Sequence, residues 1–319
     1  MHERHAVTTH APTRSRVHRI HAWVRAMRLQ FYPMTWLAYS LGAVAAQGGT
    51  RLDLAVYASG FIVLVLLEMA TVFTNELADY ETDRRNTNAG PFNGGSRVLV
   101  EHRLSAAALR TGAGLALALA AAATTVTWAW APPGSALPAV AIIGFFGILA
   151  LGYTLPPLRL AYRGAAEITV AATHSTGPVL LGFVLQGGSV WTLTPWVLSV
   201  PLLLAILPSI LLAGIPDSTA DRSVDKHTLA VRRGAASAAG AAQWTAIAAA
   251  LTAAAVAFVM GPVYGRAGAL IGLHCGVLWL MLRRYRQRAA PVGRIDALMV
   301  ASLSYLFWFT VLPLLAWTG

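Results

Sequence analysis

The stretch Asn75-Glu-Leu-Ala-Asp79-Tyr-Glu-Thr-Asp83 follows directly on a long apolar run, and it determines how the rest of the sequence is interpreted. In a helix, steps of four residues place Asn75, Asp79 and Asp83 on one face. Two carboxylates at this spacing repel each other, and the repulsion grows where water is scarce, as beside a membrane. A bound cation explains such a face best, and oxygen-only ligands suit magnesium.

A second acidic stretch, Asp217-Ser-Thr-Ala-Asp221-Arg-Ser-Val-Asp225, repeats the spacing after another apolar run. A single D-x-x-x-D pattern at a helix end is usually a solvated surface feature. The chain has only 13 acidic residues, however, and both stretches emerge from apolar runs at matched places. We therefore predict a metal site whose ligands are Asn75, Asp79, Asp83, Asp217, Asp221 and Asp225.

The composition indicates a polytopic helical membrane protein. Of the 319 residues, 56% are hydrophobic and 12% charged, and the mean hydropathy is +0.59. Because lipid cannot satisfy backbone polar groups, the spans must be helices. The single cysteine, Cys275, excludes a disulfide framework, and the lack of a Cys/His cluster argues against a zinc site.

The apolar runs predict an all-α integral membrane bundle of nine transmembrane helices. The runs cover about 31–47, 54–74, 106–130, 137–155, 165–186, 194–215, 235–260, 263–282 and 297–317. We expect two parts, a basic cytoplasmic N-terminal tail, residues 1–28, and one nine-helix domain, residues 29–319. The tail lacks the apolar core of a signal peptide.

The placement of positive charge predicts the orientation. All but two of the 24 Lys and Arg residues, Arg51 and Arg266, fall in the N-terminal tail or in alternate connections. By the positive-inside rule the N-terminus and both acidic stretches face the cytoplasm, and the C-terminus lies outside. This pattern assigns the chain to the inner (cytoplasmic) membrane. It also explains the net charge of +11 without a nucleic-acid partner.

The connections that carry the acidic stretches also carry groups suited to phosphate. Gly94 and Gly95 allow a ligand close to the backbone, and the Arg97 side chain can clamp phosphate oxygens. Two prolines stiffen the turn that leads to Arg159, and Lys226 is the only lysine in the chain. Metal-holding acids among basic residues predict a diphosphate site, although a flexible basic loop would look similar.

Two ionisable residues lie inside the predicted spans. Glu68 lies two helical turns before Asn75, and His174 is in the middle of the fifth run. Charge inside a membrane is costly and usually functional, so we expect Glu68 and His174 to line an acceptor cavity beneath the metal site. The alternatives are hydrogen bonds between helices, or an ion path through a transporter or channel. A transporter would concentrate polar groups near the midplane, whereas the acids here cluster at one end.

These motifs resemble the UbiA superfamily of membrane-embedded aromatic prenyltransferases. Its members carry N-D-x-x-D-x-x-x-D and D-x-x-x-D runs in two cytoplasmic loops of a nine-helix bundle. Tyr153-Thr-Leu-Pro-Pro-Leu-Arg159 is similar to the family segment Tyr-Ser-x-Pro-Pro-x-Arg/Lys, and 221–234 to the continuation that contains the family lysine. The chain departs from the pattern at Glu76, where many members have Asp, and at Asp225, where Gly is common. The loop Gly-Pro-Phe-Asn-Gly-Gly-Ser-Arg97 is most similar to the menaquinone-type, dihydroxynaphthoate-prenylating branch.

The resemblance implies transfer of a polyprenyl group from its diphosphate to an aromatic quinone precursor in the bilayer. It implies two Mg²⁺ ions, with Asp79, Asp83, Asp217 and Asp221 as catalytic ligands. The residues expected to bind diphosphate are Arg28, Arg97, Tyr153, Arg159 and Lys226. A family branch with a non-quinone acceptor is the main alternative. The membrane alcohol phosphatidyltransferases are less compatible, because their D-G-x-x-A-R signature is absent.

Overall fold

The computed structural model describes residues 16–49, 51–261, 263–288 and 295–318. These residues form helices and connecting turns, with one isolated β-bridge between Gly90 and Asn93. The all-α prediction is therefore confirmed for the described part of the chain. Residues 1–15 of the predicted basic tail lie outside it, and the proposed boundary between tail and bundle stays a prediction.

The described residues contain thirteen α-helices. They are α1 (Arg16–Met27), α2 (Tyr32–Ala46), α3 (Leu54–Ala78), α4 (Tyr80–Arg85), α5 (Ala106–Trp130), α6 (Ala136–Leu151), α7 (Ala166–His174), α8 (Thr176–Leu185), α9 (Thr194–Arg222), α10 (Leu229–Arg233), α11 (Ala235–Met260), α12 (Ala269–Arg286) and α13 (Asp296–Thr318). Short 3₁₀ turns precede α2, α7 and α12.

Six helical segments of the described chain are long and apolar enough to cross a bilayer. They are Leu54–Ala78, Ala106–Trp130, Ala166–Leu185, Thr194–Arg222, Ala235–Met260 and Asp296–Trp317. A shorter apolar helix, Ala136–Leu151, lies beside them. The prediction of a multi-pass helical membrane protein is confirmed, but the number of nine spans is not.

The fifth predicted span contains a break. Its two halves, α7 and α8, meet at Ser175, which has φ −122° and ψ −78°. Pro178 lies four residues after His174 and has no N–H to donate to the carbonyl of that residue. The missing hydrogen bond weakens the helix at this point, directly beside His174.

The helices surround a cavity at the end of the bundle where α3 and α9 terminate. α2, α3, α6, α7, α8, α9 and α13 all contribute to its wall, together with the connection that follows α4. The main core lies beside this cavity, among α2, α9, α11, α12 and α13. A smaller core holds α1 against α3 and α5, where the indole of Trp23 packs edge-on against the ring of Phe73.

Candidate active site

The two acidic stretches converge on this cavity. α3 ends at Ala78 with Asp79 as its C-cap, and the backbone N–H groups of Asp79 and Asp83 still bond to the carbonyls four residues earlier, at 2.8 Å. The side chains of Asn75, Asp79 and Asp83 therefore share a face as the spacing predicts. Asp217 and Asp221 lie in the last turns of α9, and all five side chains line one cavity of about 300 Å³.

Asp225 departs from the predicted pattern. α9 ends at Arg222, so the helical spacing that joins Asp217 to Asp221 stops before Asp225. Asp225 has a left-handed backbone with φ 58°, its side chain is exposed, and it is not among the residues that line the cavity. The glycine that is common here in the resembled family would adopt this φ without strain.

Lys226 forms the electrostatic link between the two acidic stretches. Its ammonium nitrogen lies 2.9 Å from Asp79 Oδ1 and 3.5 Å from Asp221 Oδ1. Burial lowers the pKa of Lys226, but the Asp79 and Asp221 carboxylates outweigh this and raise it above its usual value. Lys226 therefore stays charged although it is only 6% exposed.

In contrast to Lys226, Asp83 lies where its charged form is disfavoured. Burial raises its pKa to about 7, and the nearby carboxylates of Asp79 and Glu76 add to the shift, while Lys226 opposes it. Its carboxylate packs against the backbone of Gly95, where a Cβ atom would lie only 2.0 Å from Asp83 Oδ2. Asp83 thus sits where negative charge is under-compensated, as expected of a group that has a further cationic partner.

The connection between α4 and α5 covers the site and is fixed by hydrogen bonds that it donates to carboxylates at both acidic helix ends. Asp217 accepts bonds from the side chains of Asn86 and Asn93 and from the backbone N–H of Gly94. On the other side, the Glu76 carboxylate accepts the backbone N–H of Ser96 at 2.9 Å. These asparagine contacts were not predicted from the sequence. The sequence hint was that Asn86 lies one helical turn after Asp83.

The predicted diphosphate ligands occupy different places. Arg28, Tyr153 and Lys226 line the cavity, whereas Arg97 and Arg159 are not among its lining residues. Arg97 Nη1 instead donates to the carbonyl of Asp83 at 2.9 Å. The exposed Arg159 guanidinium stacks 3.9 Å from the ring centroid of Tyr162.

Asn75 is held by Thr154, whose role was not predicted from the sequence. The Thr154 hydroxyl donates to Asn75 Oδ1 at 2.8 Å. Next to it, burial raises the pKa of the Tyr153 phenol, and the nearby charge of Lys226 opposes that shift. Tyr153 therefore remains a neutral hydroxyl beside the acidic groups.

The deeper part of the cavity is mainly apolar and contains both Glu68 and His174. Nδ1 of His174 lies 2.9 Å from the carbonyl oxygen of Val170, which can only accept a hydrogen bond. A proton on Nδ1 satisfies this carbonyl, and in that tautomer Nε2 carries the lone pair. His174 thus provides a basic nitrogen in the wall of the cavity.

The donor set fits a hard divalent ion that has further ligands from a substrate. No three His, Cys, Asp or Glu side chains in the described ranges are close enough to form a metal site by themselves. Asp79 Oδ1 is nevertheless buried and lacks a well-directed hydrogen bond, although Lys226 lies close to it. Magnesium is usually held by a few protein oxygens, with phosphate oxygens completing its coordination.

Comparison with known proteins identifies relatives over most of the chain. The sequence profile described as the UbiA prenyltransferase family matches residues 35–303. The lycopene elongase/hydratase of Corynebacterium glutamicum is 23% identical over 228 residues, which cover 66% of this chain and 70% of that protein.

Two solved structures share the fold. A UbiA homologue from Archaeoglobus fulgidus, bound to GPP and Mg²⁺, superposes with a TM-score of 0.63 at 15% identity and covers 92% of this chain and 99% of its own. A structure from work on digeranylgeranylglyceryl phosphate synthase in membranes gives a TM-score of 0.61 at 13% identity, with coverage of 94% and 97%.

Proposed function

Because the chain belongs to the UbiA prenyltransferase family, we propose that it transfers a prenyl group from a prenyl diphosphate to an acceptor within the membrane. The observation that carries this proposal is one cavity that joins a charged end to an apolar interior. Asn75, Asp79, Asp83, Asp217 and Asp221 line the charged end with Lys226, and the helices supply the apolar remainder.

The charged end suits a diphosphate. We propose that these five residues hold magnesium, which would take up negative charge on a leaving diphosphate. The family resemblance implies two ions. Lys226 is already charged and in place, and we assign it to the same oxygens. Arg28 and Tyr153 are the other cavity-lining candidates for diphosphate contact. For Arg97 and Arg159 a role in shaping the loops fits better than direct contact.

The reaction then divides between the two ends of the cavity. The allylic carbon–oxygen bond breaks, and the diphosphate leaves with the electron pair. A double bond of the acceptor supplies the electrons for the new carbon–carbon bond, and the resulting cation loses a proton. In the deeper part of the cavity, we assign the acceptance of that proton to Nε2 of His174 or the carboxylate of Glu68.

Two acceptor classes are compatible with this scheme. The loop around Asn93 and Gly94 resembles that of enzymes that prenylate an aromatic quinone precursor; the expected menaquinone-type branch is not confirmed. An isoprenoid alkene is favoured by the relative named a lycopene elongase/hydratase. It is also favoured by the cavity, where the wall around Glu68 offers no cation besides Arg28 and Lys226 among the described residues. A carboxylate-bearing aromatic acid would meet Glu68 without a dedicated partner, so we place the uncharged alkene first.

The decisive experiment is diphosphate release by the purified protein in lipid nanodiscs. Geranylgeranyl and dimethylallyl diphosphate would be supplied with and without Mg²⁺, each with lycopene, dihydroxynaphthoate, 4-hydroxybenzoate or homogentisate. Mg²⁺-dependent release with a prenylated product supports the proposal and identifies the acceptor class. No prenylated product from any combination, with folded protein, would contradict it.

Two variants test the assignment of the charged end. Asp79→Asn and Asp217→Asn keep side-chain volume and remove charge, and we expect each to lose at least about 100-fold in turnover, because such electrostatic stabilisation is worth several kcal/mol. Asp225→Asn is the matched control and should remain close to wild type, since Asp225 does not line the cavity. Retention of more than about a tenth of wild-type turnover in Asp79→Asn would argue against the assignment.

A further inference from the structure

Three hydrogen bonds from the loop that follows α4 converge on a single carboxylate at the end of α9. Asp217 Oδ1 accepts from Asn86 Nδ2 at 2.6 Å and from Asn93 Nδ2 at 2.7 Å. Asp217 Oδ2 accepts from the backbone N–H of Gly94 at 3.2 Å. A carboxylate has about four lone-pair positions, so these bonds leave one for another ligand, on Oδ2.

Both asparagines are committed to this arrangement. Asn86 and Asn93 are 6% and 9% exposed. The second amide hydrogen of Asn93 is used by the carbonyl of Asn88 at 3.0 Å, and Asn86 Oδ1 accepts the backbone N–H of Asn88 at 2.9 Å. The loop is therefore folded around the two side chains, and neither amide can turn away from Asp217 without breaking a second bond.

The backbone of the loop is built for the same contact. Gly94 has φ 70°, and a Cβ atom there would lie 2.7 Å from the side chain of Ala89 and 2.9 Å from Asn86 Nδ2. Only glycine brings its N–H to Asp217 without displacing the amide that binds the same carboxylate. A further contact runs parallel to it, because Arg85 Nη1 donates to the carbonyl and hydroxyl of Ser223 at 3.2 Å.

We propose that Asn86 and Asn93 are positioning residues that orient the Asp217 carboxylate and fasten the loop 86–95 across the cavity. We call the hydrogen bonds from Asn86, Asn93 and Gly94 to Asp217 the clasp. The clasp joins the first acidic stretch, which leads into the loop, to the second, which ends α9, in one site. The inference rests on the proposed function for its catalytic consequence. Its structural part, that the loop depends on Asp217, does not.

Alanine substitutions test the catalytic consequence. Removing a buried hydrogen bond to a charged group typically costs about 10- to 100-fold in the quantity that depends on it, so we expect Asn86→Ala and Asn93→Ala to lower kcat/KM for the prenyl diphosphate by about that factor. Most of the loss should be a rise in KM and in the Mg²⁺ concentration required. The control is Asn88→Ala, because Asn88 takes part through its backbone and is the same residue type in the same loop.

Amide hydrogen exchange of residues 94–98 tests the structural part without activity. We expect Asn93→Ala to accelerate exchange, and Asp217→Ala, which removes both acceptor oxygens, to do so as well. Because Asn93 acts through Asp217, adding Asn93→Ala to Asp217→Ala should change exchange little further. Equal exchange in Asn93→Ala, Asp217→Ala and Asn88→Ala would overturn the clasp. Accelerated exchange in a protein that never releases diphosphate would instead overturn the proposed function and leave the clasp standing.

Discussion

At the scale of single residues, the site depends on the absence of a side chain at Gly95. This glycine has φ 68°, and a Cβ atom would lie 2.0 Å from Asp83 Oδ2 and 2.8 Å from Asp83 Cγ. Because Asp83 is buried and follows α3 by a single helical turn, its carboxylate cannot retreat without changing the site. Gly95 therefore fixes where the Asp83 oxygens can be.

Gly95→Ala should consequently displace Asp83 and lower turnover by about 10-fold or more, a loss typical when a catalytic group moves by about 1 Å. Gly187→Ala is the control. Gly187 also has a positive φ, 86°, but no atom lies within 4 Å of its Cβ position. Gly187→Ala therefore introduces only the backbone strain of alanine at positive φ. Turnover and thermal unfolding would be measured for both. Equal turnover in the two variants would show that the Asp83 contact has no role.

The raised pKa of Asp83 predicts how divalent-metal binding varies with pH. The pKa moves from the usual 3.8 to about 7, so the side chain is protonated below that pH and ionised above it. Since a protonated carboxyl cannot serve as a ligand, binding must release a proton below pH 7, and affinity should fall by up to about tenfold for each pH unit. Calorimetry of Mn²⁺ or Mg²⁺ binding in two buffers of different ionisation enthalpy measures this release.

We expect Asp83 to contribute nearly one released proton at pH 6 and almost none at pH 8. In Asp83→Asn the difference between the two pH values should shrink, because the titrating group is gone. An unchanged pH dependence in that variant would assign the proton to another residue.

How far the sequence predicts the site differs from residue to residue. The pairing of Asp79 with Asp83 and of Asp217 with Asp221 was predictable, because helical spacing alone places the two members of each pair on one face. The Asn86 and Asn93 contacts were not, because they depend on the path of an irregular loop. Asp225 was misplaced for a related reason, since a helical pattern in the sequence does not show that α9 ends at Arg222.

At the scale of elements, α2 and α8, which both contribute to the cavity wall, approach each other closely. At Gly42 a Cβ atom would lie 1.9 Å from the carbonyl oxygen of Val179, and at Gly182 it would lie 2.1 Å from that of Tyr39. The contacting atoms are backbone atoms, so they cannot turn aside as a side chain would. Small residues at such crossings are what allow helices to pack closely in lipid.

Gly182→Ala should therefore force α2 and α8 apart and destabilise the protein by about 1–3 kcal/mol, the usual cost of overpacking. Gly276→Ala is the matched control, because Gly276 is also helical but has no atom within 4 Å of its Cβ position. It should be neutral or stabilising by up to about 1 kcal/mol, from the higher helix propensity of alanine. Thermal unfolding in nanodiscs would compare the two; a Gly182→Ala protein as stable as Gly276→Ala would exclude the close approach.

The sequence predicted the elements better than their interruptions. Apolar runs located every long helix to within about seven residues at each end, because burial in lipid requires a continuous apolar stretch. The break at Ser175 was missed, since α9 shows that prolines alone do not decide it: Pro201, Pro208 and Pro216 lie inside one uninterrupted helix. Whether a proline breaks a helix depends on what its neighbours can bond to, and that is a tertiary property.

At the scale of the whole molecule, the bundle has two chemically different ends. α3 and α9 both terminate at the acidic cavity, and the connections there carry most of the cationic residues. At the other end Gly49, which follows α2, packs against the backbone of Trp317 near the C-terminus. Asp53 and Gln186 hydrogen-bond to each other at the same end. By the positive-inside rule, we expect the cationic end of the bundle to face the cytoplasm.

Cysteine labelling tests this orientation. In a Cys275→Ser background, Thr87→Cys places a thiol in the exposed loop after α4, and Trp191→Cys places one at the opposite end, where Trp191 is 92% exposed. A membrane-impermeant maleimide added to intact cells should label Trp191→Cys and leave Thr87→Cys unlabelled, and inverted vesicles should show the reverse. Detergent should allow both to react, which controls for thiols that are merely inaccessible. Labelling of Thr87→Cys in intact cells would place the acidic cavity outside and would separate it from a cytoplasmic supply of prenyl diphosphate.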